Sequence, residues 1–175
     1  MRTSPKARCF RAQRRPQEAI PEYETVIAFN RNHVNALAAI GWCKLYTGSI
    51  EEVIPLLEQA VRLSPRDPNI GVWYNRIGLV HLARSRIEEA ILWFEKACST
   101  NPAQSSVHAY LAASYALKGE TERAATELAE ARRLNRDGRY TSIAGLGFRT
   151  MMPMVRELFE ATLLAGLRKA GMPEE

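Results

Sequence analysis

Residues 71–102 read GVWYNRIGLVHLARSRIEEAILWFEKACSTNP, and this stretch decides the fold. Tyr74, Ile77, Gly78 and His81 recur at helical spacing until Ser85 interrupts. Ala90, Phe94 and Ala97 then carry a second stripe down to Asn101-Pro102, which ends it. The pattern predicts two helices joined by a tight turn. Working outward, the same small side chains return at a fixed interval: Ala19, Val53, Ala90 and Ala124 are separated by 34, 37 and 34 residues. Val26, Ala60, Ala97 and Ala131 follow seven residues later, while Gly41, Gly78 and Ala112 sit twelve residues before the last three of the first series. A period of this length marks a stacked array in which no unit buries its apolar face alone. Such arrays are surfaces for holding something and rarely perform chemistry.

The unit before repeats the scheme. Leu37, Ile40, Gly41 and Leu45 precede a break at Thr47-Gly48, Ser49 with Glu52 reads as a capping box, and Val53, Leu57 and Ala60 lead to Ser64-Pro65. Gly41 and Ala60 are small because antiparallel helices approach to about 8–10 Å where they touch. The unit after has Leu111, Ala112 and Tyr115, a break at Lys118-Gly119, then Ala124, Leu128 and Ala131, and it closes at Arg136-Asp137-Gly138. The three extra residues behind the 37-residue interval fall at Asp67-Pro68-Asn69-Ile70, where a loop absorbs them at little cost. Pro16 starts a second helix running to Asn30 whose first-helix partner would occupy the Arg-rich residues before it, a partial helix over 5–14. Pro21 and Pro55 take the same place in two units and each removes an early backbone bond. Beyond 137 the repeat stops: 137–153 is read as a loop and 154–171 as a C-terminal helix. Val155, Leu158, Phe159, Thr162, Leu163 and Leu167 give that helix its apolar side, and Gly171-Met172-Pro173 ends it. A terminal helix of this kind covers the last exposed face of an array.

At 175 residues, 46% of them apolar and 25% charged, the composition is that of a folded soluble chain. The net charge of +5 is local, because Arg2, Lys6, Arg8, Arg11, Arg14 and Arg15 lie among the first fifteen residues with no acid between them. Without them 18 basic residues face 19 acidic ones. Only Phe10 is interleaved in this arm and no helix-turn-helix is evident, so 1–15 reads as a solvated tail or partial helix and not a nucleic-acid or membrane contact. An Arg-rich start without acids is also the composition of a transit peptide. Cys9, Cys43 and Cys98 are too few and too scattered for a disulfide framework or a zinc site, which points to reduced thiols and a cytoplasmic location. No apolar run approaches the ~20 residues that span a bilayer. His33, His81 and His108 fit no local metal motif, and Gly145-Leu146-Gly147 lacks the third glycine and the strand of a phosphate loop. Glu51-Glu52 and Glu88-Glu89 sit where carboxylates complement helix N-termini. No catalytic residue, cofactor, metal or small-molecule substrate is expected.

Tyr74, Ile77-Gly78, Ala90, Phe94, Ala97 and Pro102 resemble the tetratricopeptide repeat family, whose unit of 34 residues favours these types at these offsets. Lys44 stands where an aromatic is usual, Val53 replaces Ala, and Arg31 and Arg136 replace the closing Pro. The resemblance covers residues 16–136 as one half and three complete repeats, and implies an all-α, right-handed α–α superhelix with a C-terminal capping helix. It also implies a concave groove lined by first-helix side chains. Carried over, these are Asn35, Ala38, Trp42, Leu45 and Tyr46, then Val72, Asn75, Leu79, Leu82 and Ala83, then Ser106, Ala109, Ala113, Ala116 and Leu117. Within that set Asn35, Trp42, Leu45, Tyr46, Val72, Asn75, Leu79 and Leu82 form the expected partner site. Lacking the basic side chains that clamp acidic tails, it fits an apolar protein or peptide segment, or the chain's own C-terminal helix. A narrower likeness runs from 64–68 through 118–124 to 165–175, which is similar to the C-terminal repeats of bacterial class III adenylyl or guanylyl cyclases. That likeness implies a regulatory remnant without the cyclase domain.

Overall fold

In the computed structural model the described residues are 15–135, 138–146 and 153–175, and among them every regular element is helical. Seven helices alternate with short turns: α1 (Pro16–Phe29), α2 (Val34–Thr47), α3 (Val53–Leu63), α4 (Ile70–Ala83), α5 (Ile87–Thr100), α6 (Ser105–Lys118) and α7 (Thr121–Leu134). A C-terminal helix follows, made of α8 (Pro153–Phe159), a π turn (Glu160–Leu164) and α9 (Ala165–Lys169). The expected partial helix over 5–14 lies outside the described residues. The chain divides into two compact units, Met1–Trp73 and Tyr74–Glu175, with the boundary inside α4.

In the first unit α1 packs on α2 and α2 on α3. Ala19, Tyr23, Ala36, Ile40 and Cys43 form one buried cluster, flanked by the partly buried Ile27, Trp42 and Leu56. Gly41 is the close point between α2 and α3: a Cβ there would lie 3.1 Å from Leu57 Cδ2. Val53, Leu57 and Ala60, the stripe read from the sequence, are each 0% exposed. The capping box does not form. Ser49 makes no side-chain cap, the chain passes through a 3-10 turn at Ile50–Glu52, and α3 begins only at Val53. The Glu52 carboxylate instead accepts from Lys44 Nζ at 3.0 Å, an ion pair that outcompetes a reach back to the Ser49 backbone.

In the second unit α5 packs on α6 and α6 on α7. Phe94, Ala97, Leu111, Ala112, Tyr115 and Leu128 are buried, as the repeat pattern requires. Gly78 opens directly onto Phe94, whose Cδ1 and Cε1 lie 2.6 Å from where a Cβ would be. The C-terminal helix buries Val155, Phe159, Leu163 and Leu167 and ends at Gly171 (φ 93°), with Met172 N–H donating to the Leu167 carbonyl at 2.9 Å. Its tail is tied to the preceding loop, Ile143 N–H donating to Pro173 O at 2.9 Å and Ala144 N–H to Glu174 O at 3.0 Å.

The turn inside each repeat needs a left-handed residue. Gly48 (φ 87°) and Gly119 (φ 91°) supply it after α2 and α6, but Ser85 (φ 56°) fills the same register after α4. A left-handed conformation costs an L-residue roughly 1–2 kcal/mol, and glycine gives back part of that in unfolded-chain entropy. Ser85→Gly is therefore expected to stabilise the protein by about 0.5–1 kcal/mol, raising Tm by roughly 1–4 °C in a thermal melt followed by circular dichroism. A melt at or below wild type refutes the strain at this turn.

Candidate functional site

The expected groove residues fall into two classes. On α2, in the first unit, Asn35 is exposed while Trp42 and Tyr46 are half-buried, their rings 4.5 Å apart and tilted by 32°. These two side chains sit one turn apart, so α2 presents an aromatic step with an amide at its start. Val72 is half-buried. Leu45 (2% exposed) and Leu82 (0%) are core side chains with no surface to offer, and Leu79 (9%) is nearly so. A residue next to a groove position on a helix is carried inward by a small rotation, and an offset copied from the family does not resolve that. Asn75 is 7% exposed, and its buried Oδ1 meets no donor among the described residues. Ala109, Ala113 and Ala116 on α6 are closed to solvent.

A second concavity in the first unit was not foreseen. A shallow groove of about 780 Å³ lies between α1, α2 and α3, with Ile27, Ile40, Pro55 and Leu56 as its apolar floor and Lys44 at its side. Lys44 was the visible signal: it occupies the register that holds Tyr115 in the third repeat, and an extended ammonium chain paired to Glu52 fills less of that space than a ring would.

Polar chemistry in the second unit is structural. Tyr115 donates to Glu95 Oε1 at 2.7 Å, and the Arg123 guanidinium lies over its ring at 3.9 Å. Burial, the hydrogen bond to Glu95 and that carboxylate's charge push the Tyr115 hydroxyl well above the usual tyrosine range, so it stays a neutral donor, against a smaller opposing pull from Arg123. His108, which fits no local metal motif, is buried but joins three elements: Nε2 donates to the Pro102 carbonyl at 2.8 Å and Nδ1 lies 2.7 Å from Glu127 Oε2. Cys98 Sγ is 3.9 Å from the same Nε2, which gives a thiol, an imidazole and a carboxylate in a row. The row is not a catalytic triad. Pro102 already takes the nitrogen that would accept the thiol proton. Burial first, then the charges of Glu127, Glu130 and Glu95, raise the thiol pKa, so the thiolate is disfavoured. Among the described residues no group of three His, Cys, Asp or Glu side chains is placed to hold a metal ion, and no helix is long and apolar enough to cross a membrane.

Helix pairs with small residues at each crossing and a left-handed turn between them, recurring at 34 to 37 residues, are the geometry of a stacked helical repeat. Residues 39–106 match the tetratricopeptide repeat. Solved structures with that fold extend the likeness over nearly the whole chain. The crystal structure of MamA has a TM-score of 0.66 and 19% identity, over 94% of this chain and 91% of that one. PilF of Pseudomonas aeruginosa has a TM-score of 0.69 and 22% identity, over 94% and 70%. YrrB, described as a TPR protein with an unusual peptide-binding site, has a TM-score of 0.63 and 13% identity, over 93% and 82%. No curated protein matches the chain in sequence. The fold is thus an all-α tetratricopeptide repeat solenoid, and identities at this level carry the fold alone.

Proposed function

We propose that the chain is a non-catalytic scaffold that holds an apolar protein segment against the exposed faces of its first helices, with Trp42 and Tyr46 on α2 as the principal contacts. The observation that carries this reading is the aromatic pair itself: two large rings stacked at 4.5 Å on a helix face and left half open to solvent. Aromatic rings that remain wet in an isolated chain are the usual anchors of interfaces. YrrB, of the same fold, is described as binding a peptide.

Burying the open parts of two rings contributes at most about 1.5–3 kcal/mol each. Association costs several kcal/mol, so a short peptide binds at micromolar affinity or weaker. Trp42→Ala is expected to lower retention of partner from native lysate about tenfold. Because Trp42 also packs at the edge of the first unit's core, the variant loses about 1–2 kcal/mol of stability while its helicity is kept. Equal retention by both proteins, or a melt so early that Trp42 proves to be core, defeats the assignment.

A further inference from the structure

The C-terminal helix does not lie where a further repeat would begin. In the second unit α6 packs on the second helix of the preceding repeat, α5, so a helix continuing the series would pack on α7. Residues 160–169 pack on α6 instead, a first helix, and the turn after them meets α7 at Arg132, whose guanidinium donates to the Gly171 carbonyl at 3.1 Å. At the crossing the two backbones are in contact. A Cβ on Gly166 would sit 2.6 Å from the Ala113 carbonyl oxygen and 2.9 Å from the Ala113 Cβ. Ala109, Ala113 and Ala116 are positions that the family resemblance assigns to the inner surface, and here they are 0%, 0% and 1% exposed. On the C-terminal helix Val155, Phe159, Leu163 and Leu167, four residues apart, are each no more than 1% exposed.

We infer that this face of α6 is a helix-binding site held by the chain's own C-terminal helix, and that in trans it takes an amphipathic helix with large apolar side chains four residues apart and a glycine at the crossing. The inference rests on the reading that first-helix faces receive partners, and it names the partner class for the third repeat. Short alanine side chains on α6 leave room for a whole helix, and only a glycine lets the two backbones come this close. Among the described residues, the resident's ion pairs stay within the C-terminal segment. Arg168 pairs with Glu160 at 2.7 Å inside its own helix, and also with Glu174. What the resident offers to α6 is an apolar face, which any helix of the same pattern can reproduce.

The test uses the full chain and a fluorescent synthetic peptide of residues 153–175. Gly166→Leu drives a side chain into the Ala113 carbonyl and releases the resident helix. By fluorescence anisotropy the peptide is expected to bind the Gly166→Leu protein at least tenfold more tightly than wild type, and a peptide carrying the same change is expected to bind neither. Equal binding to both proteins overturns the inference. So does loss of the repeats' cooperative melt in Gly166→Leu and in the milder Leu163→Ala, because the helix is then a structural cap. Dimerisation of the variant without peptide uptake, seen by light scattering, assigns the site to a second copy and overturns the trans partner. Adding Trp42→Ala leaves the peptide's affinity for α6 unchanged while it weakens partner retention, so the proposed function and this site can fail separately.

Discussion

Gly78→Leu abolishes cooperative folding of the second unit. The backbone of α4 at Gly78 faces the ring of Phe94 with no side chain between them, and even a bare Cβ would come within 2.6 Å of two ring carbons and 3.1 Å of a third. Phe94 has little room to swing aside: it is 0% exposed and its ring packs on Tyr110, with centroids 5.6 Å apart and planes tilted by 50°. Overfilling a packed core with a few methylenes typically costs about 1–3 kcal/mol, and more when backbone must move. Here the added side chain must separate two helices along their contact, so the cost falls at or above the upper end, against a total stability of about 5–15 kcal/mol. A thermal melt by circular dichroism should show Tm lower by ten degrees or more, or no second transition at all. Gly41→Ala is the control. Its Cβ would lie 3.1 Å from Leu57 Cδ2 and 3.2 Å from Leu57 Cγ, so the leucine must give by a few tenths of an ångström, and the helix gains about 1 kcal/mol from replacing glycine, which offsets that shift. Near-neutral behaviour at Gly41 with collapse at Gly78 is the expected pair, and a Gly78→Leu protein as stable as wild type removes the register of the whole array.

That register is the part of the molecule that was legible in the sequence. Small residues at Gly41, Gly78 and Ala112 have one physical explanation, close helix crossing, and the structure buries all three. Period and turn residues identify such crossings because sterics tolerate few alternatives there. Caps were less legible: Ser49 and Glu52 have the spacing of a capping box, but Lys44, eight residues upstream of Glu52, offers the carboxylate a charged partner that no local pattern weighs. The site was legible only as a set of helix offsets. Offsets separate Trp42 and Tyr46, which are half open, from nothing, since Leu45 and Leu82 carry the same assignment and are sealed. The packing of 160–169 on α6 was left open by the sequence, which offered both a cap on the last face and a fold-back into the groove, because an apolar stripe specifies that a helix is covered and not which neighbour covers it. Gly166 records that choice, but an isolated glycine late in a helix reads first as an approaching end.

Phe94→Ala is the complement of the glycine prediction, and it is expected to cost about 3–5 kcal/mol. The ring is wholly buried and fills the space that Gly78 leaves empty, so its removal opens a cavity bounded on one side by bare backbone and on the other by Tyr110. The bare backbone at Gly78 has no side chain to collapse into the gap, which places the cost toward the upper part of that range. The two sites are therefore one unit, and their coupling has a sign that can be measured. With Phe94 in place, Gly78→Ala forces the ring to shift and destabilises. Combined with Phe94→Leu, the same Gly78→Ala change meets a smaller, more adaptable side chain, and the helix-propensity gain of about 1 kcal/mol is no longer offset. A double-mutant cycle by urea denaturation should thus return a favourable interaction energy within roughly 0.5–3 kcal/mol. Strict additivity would mean that Gly78 and Phe94 do not touch, and the helix crossing at the centre of the second unit would have to be redrawn.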